Sequence, residues 1–490
     1  MGYIYVKKRR MLLLSFGYLI FLIAVIFTYF LIGDRYKIQV LFFTSIVFIA
    51  SFSIGVAAFS LVFTIVNYFW GILLEKYAIK TTLKNKLFWI GISIDIGILA
   101  LFKYFDAYLG EINSLFFDSG IYAESPYLKV MIPLGISYYT FQALGYLIRI
   151  DRGSEKAQHN FATFGTYLLF FPKFLAGPVE RSNHFFSQIK NLGKFDWEHI
   201  NCGLRLFLWG LFKKVVIADT LYVSVSQVYQ NVHQFTGLQL FTILIVETIY
   251  IYCDFSGYTD MALGSAKLFG INLIDNFNRP FLSKNVSEFW RRWHISLSSW
   301  CNDFIYNPFI VKYRRLGNFA VISGIFLTFF VVGIWHGANL TFVILGLLQA
   351  IAIVYEFYTK RKRIKFASRF SKSMVNTVSR LIVFFYMAFS MVFFFSDTVA
   401  DAGYFISHIF SNIHFGSNQF NFISNQPQFF FALICFLIIF IIEIFNEKGK
   451  NLLPVYLKQP LWLRWTGYLT CIVLIYFFYS GIQTFYYMRF

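Results

Sequence analysis

The sequence predicts an all-α polytopic membrane protein of roughly eleven to thirteen transmembrane or re-entrant helices. Three observations carry that prediction. Of 490 residues, 58% are hydrophobic and 22% aromatic, and only 14% are charged, where a soluble domain needs about 25% to cover its surface. Apolar runs recur along the whole length. The charges that remain cluster in short loops beside those runs, which is the pattern of cytoplasmic loops in a membrane protein.

The elements follow in chain order. Lys7–Arg10 precede the apolar run Met11–Leu31, which is long for a signal peptide, lacks a small-residue cleavage site and reads as an uncleaved first helix. Val40–Leu74 is either one long tilted helix or a hairpin broken near Ser51–Gly55. Further spans are Leu87–Leu101, Val321–Trp335, Leu381–Phe395, Phe429–Ile442 and Leu463–Gly481. Asp151–Asp196 and Asn272–Arg315 are too polar to span and too aromatic for ordinary loops; such segments lie at the interface or re-enter protein-lined cavities. With no fixed-period repeat and no Pro/Ser-rich linker, residues 1–490 read as one membrane domain.

A net charge of +19 raises the question of nucleic acid, and its distribution answers against it. Lys360 to Arg380 holds eight basic residues and no acid, and Leu381–Glu447 holds no Lys or Arg. The first stretch is therefore expected in the cytoplasm and Ser396–Gln428 outside. Lys448, Lys450, Lys458 and Arg464 return the chain inside, so the last span delivers the tail, residues 482–490, to the outer face. The five cysteines are scattered without paired spacing, so neither a disulfide nor a metal site is expected.

Two places invite chemistry. Among the forty residues 316–355, His336 is the only histidine and no acid, Lys or Arg accompanies it; an imidazole in a span is costly to bury and marks a functional site or a structural hydrogen bond to a carbonyl. The segment Arg279–Arg315 carries seven basic residues against two acids, with large aromatics around His294. Its arginines, Arg291 and Arg292 among them, suit phosphate or pyrophosphate groups, or anchor lipid headgroups. Histidine also suits a general base for hydroxyl or thiol attack. Neither histidine has the carboxylate or Cys companions of a zinc site, so no metal is expected. Asp95, Glu247, Asp254, Asp260 and Glu443 lie in apolar surroundings and leave a proton-coupled transporter open as a rival.

Five stretches in order, "IPLGISYYTFQALGYLIRIDRG" (132–153), "FFPKFLAGPVERSNHF" (170–185), "YCDFSGYTDMALGSAKLFG" (252–270), "NFNRPFLSKNVSEFWRRWHISLSSWCNDFIYNP" (276–308) and "GIWHGANLTFVILG" (333–346), resemble the membrane-bound O-acyltransferase (MBOAT) family, in its bacterial branch for peptidoglycan and alginate O-acetylation and teichoic-acid D-alanylation. They concentrate in residues 130–350. The resemblance implies a multi-pass protein of the bacterial inner membrane, its helices in a ring enclosing a tunnel. It makes His336 the family's membrane histidine and the better base. It makes His294 the second polar position, orienting donor or carbonyl, a place where many eukaryotic relatives carry Asn. Arg291, Arg292, Trp293, Asp303 and Asn307 are then expected at the donor, with Tyr306 beside them. The tail "FYYMRF" (485–490) resembles a terminal F-x-Y-x-x-F motif of this branch through Phe485, Tyr487 and Phe490, although Arg489 replaces a polar uncharged residue. Tyr487 is thereby implied as a transient acyl carrier on the periplasmic side.

The implied activity takes an acetyl group from a cytoplasmic thioester, acetyl-CoA or another acyl thioester, with no bound cofactor. A periplasmic SGNH-type O-acetyltransferase is the implied partner, membrane lipid the surroundings, and peptidoglycan the expected acceptor. Alginate or another exopolysaccharide, and D-alanine transfer to teichoic acid, stay open as alternatives.

Overall fold

A computed structural model of the chain describes residues 12–78, 81–116, 134–189, 192, 195–413, 420, 422–423, 425–481 and 486. Among these residues the architecture is helical, and an isolated antiparallel bridge joins Phe277 to Trp293. Eight helices are long and apolar enough to cross a membrane, and the shorter apolar Phe16–Leu31 adds to them. The rest of the predicted membrane architecture is short helices: as expected, neither 151–196 nor 272–315 contains a helix of spanning length among the described residues.

The helices run α1 Phe16–Leu31, α2 Lys37–Ala50, α3 Ile54–Lys76, α4 Thr81–Phe116, α5 Ile136–Asp151, α6 Phe161–Leu169, α7 Ser182–Ile189 and α8 Trp197–Phe212. Then come α9 Asp219–Gln230, α10 Leu238–Lys267, α11 Val286–Trp290, α12 Ile295–Cys301, α13 Asn307–Lys312, α14 Asn318–His336 and α15 Leu340–Ala367. The last are α16 Lys372–Phe395, α17 Val399–His408, α18 Gln426–Glu447, α19 Leu452–Leu457 and α20 Leu461–Phe478. The chain divides into two compact units, interleaved in sequence. One comprises residues 1–207, 258–274 and 487–490, the other residues 208–257 and 275–486.

In the first unit, α1 buries Tyr18, Leu22, Val25 and Tyr29, a stripe at helical spacing. Tyr18 donates to Ser265 Oγ (2.9 Å) and Tyr29 to the Phe269 carbonyl (3.0 Å). The run Val40–Leu74 breaks at Ser51–Ser53, where Ser51 Oγ turns back to the Phe48 carbonyl (2.6 Å) and Ser53 caps α3. Serine competes in this way with the helical ladder, so the broken reading describes the chain. Glu180, 1% exposed, accepts from His184 Nδ1 (2.7 Å), the Arg181 N–H (3.0 Å) and the Ile274 N–H (3.0 Å). It ties the stretch 170–185 to Ile274 within the same unit.

The second unit is built on close backbone approach. A Cβ at Gly346 would lie 2.3 Å from the Phe329 carbonyl oxygen, and one at Gly333 2.6 Å from that of Phe342, so α14 and α15 pack with almost nothing between them. At Gly257 of α10, a Cβ would meet the Gly210 carbonyl oxygen at 2.8 Å and the Lys214 nitrogen at 3.1 Å. Between α8 and α9 the backbone widens into a π-helix, Lys213–Ala218, and a second one follows α12 at Asn302–Tyr306. Such wide turns re-aim side chains and gather at functional sites.

Candidate active site

His294 sits at a backbone pivot. Its φ of 45° and ψ of 50° are left-handed, a conformation that costs a bulky residue free energy unless the surroundings impose it. They do so through two crossed backbone bonds: Asn278 N–H to the Arg292 carbonyl (2.9 Å) and Ile295 N–H to the Asn276 carbonyl (3.0 Å). Asn276 Oδ1 accepts from Ser296 Oγ (2.6 Å), Ser296 N–H (3.2 Å) and His294 Nδ1 (3.4 Å). An acceptor facing Nδ1 assigns the ring proton there and leaves the lone pair on Nε2. Burial pushes the imidazole down to about 3, so His294 is neutral at physiological pH. A neutral ring of fixed tautomer orients a group better than it collects protons.

His336 closes α14 and is 6% exposed. Aromatic rings line it: Trp335 at 4.7 Å between centroids, Phe394 of α16 at 5.3 Å and Phe342 of α15 at 6.1 Å. Trp335 also faces His294, 6.0 Å away, so one indole bridges the two histidines. Phe255 stands edge-on to His294 at 4.7 Å. Asn339 caps α15 by accepting from the Thr341 N–H (3.2 Å) and donates to the Asp397 carbonyl, which fixes the turn after the histidine.

The same aromatic cluster reaches Tyr486. Tyr486 lies 5.5 Å from Phe394, 4.8 Å from Phe395 and 6.1 Å from Tyr250. Its N–H donates to Asp254 Oδ2 (3.2 Å). Phe394 thus touches both His336 and Tyr486. Phe485, Tyr487 and Phe490, which carry the terminal motif, lie outside the described residues.

The basic residues separate in role. Arg292 forks onto Glu447, with Nη1 at 3.0 Å and Nη2 at 2.8 Å, and reaches Glu288 at 2.8 Å. Arg279 adds a third contact to Glu447 at 3.2 Å. Arg291 is exposed. Trp293 is 2% exposed, stacked on Phe289 (5.4 Å, 19°) and edge-on to Phe277 (5.1 Å), which braces the pivot beside His294. Asp303 and Asn307 are exposed around the π-helix, and Tyr306 is half-buried against Gly324. The structure therefore brings together His294, His336, Trp335 and, through Phe394, Tyr486, and keeps Asp303 and Asn307 at the surface.

Sequence reasoning passed over Asn276, Trp335, Phe394 and Lys214. Asn276 and Trp335 each stood inside a stretch already singled out, but nothing in a lone sequence shows that Asn276 faces the histidine eighteen residues later. Phe394 is one of 65 phenylalanines.

The chain matches the membrane-bound O-acyltransferase family over residues 149–396, a stretch that contains both histidines and ends before the tail. It is 33% identical over 334 residues to a probable alginate O-acetylase of Pseudomonas putida, covering 67% of each chain. It is 31% identical to a peptidoglycan O-acetyltransferase of Helicobacter pylori, over 62% of this chain and 61% of that one. A teichoic acid D-alanyltransferase of Bacillus subtilis is 30% identical, over 53% of this chain and 68% of its own. A helical membrane fold, a buried histidine pair on one indole and a match across half of the sequence agree: the chain belongs to the membrane-bound O-acyltransferase family.

Proposed function

We propose that this acyltransferase takes an acetyl group from a cytoplasmic thioester, acetyl-CoA being the donor we name, and relays it across the inner membrane to an envelope polysaccharide. One observation carries the reading: the run of rings from His294 through Trp335 and His336 to Phe394 and Tyr486, next in sequence to Tyr487. His336 takes the phenolic proton of Tyr487, and the oxygen attacks the thioester carbonyl. The carbon–sulfur bond breaks, and the departing sulfur takes the proton back from the imidazolium. His294 orients the donor by accepting, at the Nε2 of its neutral ring, a hydrogen bond from one of the donor's N–H groups. Phenol and thiol have nearby acidities, about 10 and about 8.5, so the aryl ester keeps most of the transfer potential. A periplasmic SGNH-type transferase then receives the acetyl group. Burial of His336 among aromatic rings keeps water from the thioester while the base acts.

Peptidoglycan is the acceptor we favour over alginate, on the Phe-, Ile-, Lys- and Asn-rich composition that an AT-rich genome produces. The tail carried on this chain favours acetyl over D-alanyl transfer. The experiment is mass spectrometry of the C-terminal peptide after incubating the protein, reconstituted in nanodiscs, with labelled acetyl-CoA. Label is expected on Tyr487 and absent from Tyr487→Phe. Equal labelling of the two would overturn the relay, and labelling by a D-alanyl carrier thioester alone would change the acyl group.

A further inference from the structure

Lys214, Asp219 and Asp254 are respectively 1%, 4% and 0% exposed, and none of them belongs to the histidine pair. Lys214 Nζ lies 2.6 Å from Asp254 Oδ1 and 2.6 Å from Asp219 Oδ1. Two carboxylates on one ammonium leave an excess of acceptor capacity in a place where every polar group needs a partner. The second oxygen of Asp254 meets the Tyr486 N–H at 3.2 Å. The arrangement is built rather than incidental. The π-helix Lys213–Ala218 turns two consecutive lysines inward, Lys213 to Ser256 Oγ (2.9 Å) and Lys214 to the acids. Gly257 lets that backbone come within 3.1 Å of where a Cβ would stand.

We propose that Lys214, Asp219 and Asp254 are positioning residues that clamp the C-terminal segment. Asp254 holds the Tyr486 backbone, and Lys214 holds Asp254 in the orientation that does so. The purpose of the clamp rests on the reading of Tyr487 as acyl acceptor; its existence does not. A main-chain bond fixes where the tail enters without constraining which side chain stands at 486. The rings of Phe394, Phe395 and Tyr250 fix its rotation. Because Phe394 also packs on His336, the clamp sets the tail in register with the base.

The test is hydrogen exchange of the full chain in nanodiscs, resolved to the Tyr486 amide, with the amides of α10 as the folding control. In Asp254→Asn, and in the combined variant Lys214→Met/Asp219→Asn/Asp254→Leu, which removes all three buried charges, the Tyr486 amide is expected to exchange at least about tenfold faster while α10 stays protected. The combined variant decides the matter if the single one does not fold. Acetyl labelling of Tyr487 in the combined variant should fall with it. Unchanged Tyr486 exchange in a folded variant overturns the clamp. Faster exchange in a protein whose Tyr487 never takes label keeps the clamp and removes the acyl reading.

Discussion

Two histidines joined by one tryptophan stand in different surroundings, and the division of work proposed for them follows from that difference. His336 ends a helix among three rings, while His294 is pinned by Asn276 at Nδ1 and driven to about 3 by burial. A base must be neutral to accept a proton, so a rate limited by a base rises with pH through that group's value. His294 is already neutral above about pH 5, so it contributes no rising limb between pH 5 and 8. His336→Ala is expected to remove acyl transfer by at least about 100-fold, the range for losing a general base, with the protein still folded in the membrane. His294→Asn, which keeps an amide for orientation, is expected to lower the rate and leave the midpoint of any limb between pH 5 and 8 where it was. Steady-state transfer assays across that range check both, and a limb that disappears with His294→Asn would assign the base to the wrong histidine.

At the scale of the element, one amphipathic segment holds two arginines in different surroundings. Arg292 is closed on Glu447 and Glu288, so it fixes the 279–294 segment against the end of α18, whereas Arg291 is exposed beside it. Arg291→Gln is expected to raise the KM for the acyl thioester several-fold at constant kcat, since a solvent-exposed charge contact contributes about 0.2–1 kcal/mol. Arg292→Gln is expected instead to cost about 1 kcal/mol of stability, the upper range for a solvent-accessible pair. Donor titrations and thermal melts separate the two, and an unchanged KM in Arg291→Gln returns that side chain to headgroup anchoring. The sequence could announce the segment, because basic, aromatic and hydroxyl residues at that density are unusual, and the spans, because apolar length is local. It could not announce the partners, because Glu447 lies 155 residues from Arg292 and Asn276 meets His294 only through a left-handed turn. The break at Ser51–Ser53 was legible as a choice, and the serine bonds made it. The π-turn at 213–218 had no signature at all, since nothing in the run around Lys213 and Lys214 shows that Asp254 lies beside them.

Across the whole molecule, charge asymmetry should decide which way the chain faces. In the second unit α16 has 24 residues, about 36 Å at 1.5 Å per residue, enough to cross a hydrocarbon core of about 30 Å. Its first end follows six of the eight basic residues of Lys360–Arg380 and carries the other two, Lys372 and Arg380, and its last end, Phe394 and Phe395, holds Tyr486. Basic loops stay cytoplasmic because translocating Lys and Arg is unfavourable, so the tail end of α16 is expected to face the periplasm. A relay needs this polarity: donor on the basic side, acyl-bearing tail on the other. Single cysteines in a background without the five native ones report it, at Ser368→Cys in the basic loop and at Gly403→Cys, where a side chain meets nothing within 4 Å. A membrane-impermeant maleimide on intact spheroplasts is expected to label position 403 and to reach position 368 only after lysis. Labelling at 368 in intact spheroplasts, with 403 protected, would invert the chain and put donor and tail on the sides opposite to those the relay requires.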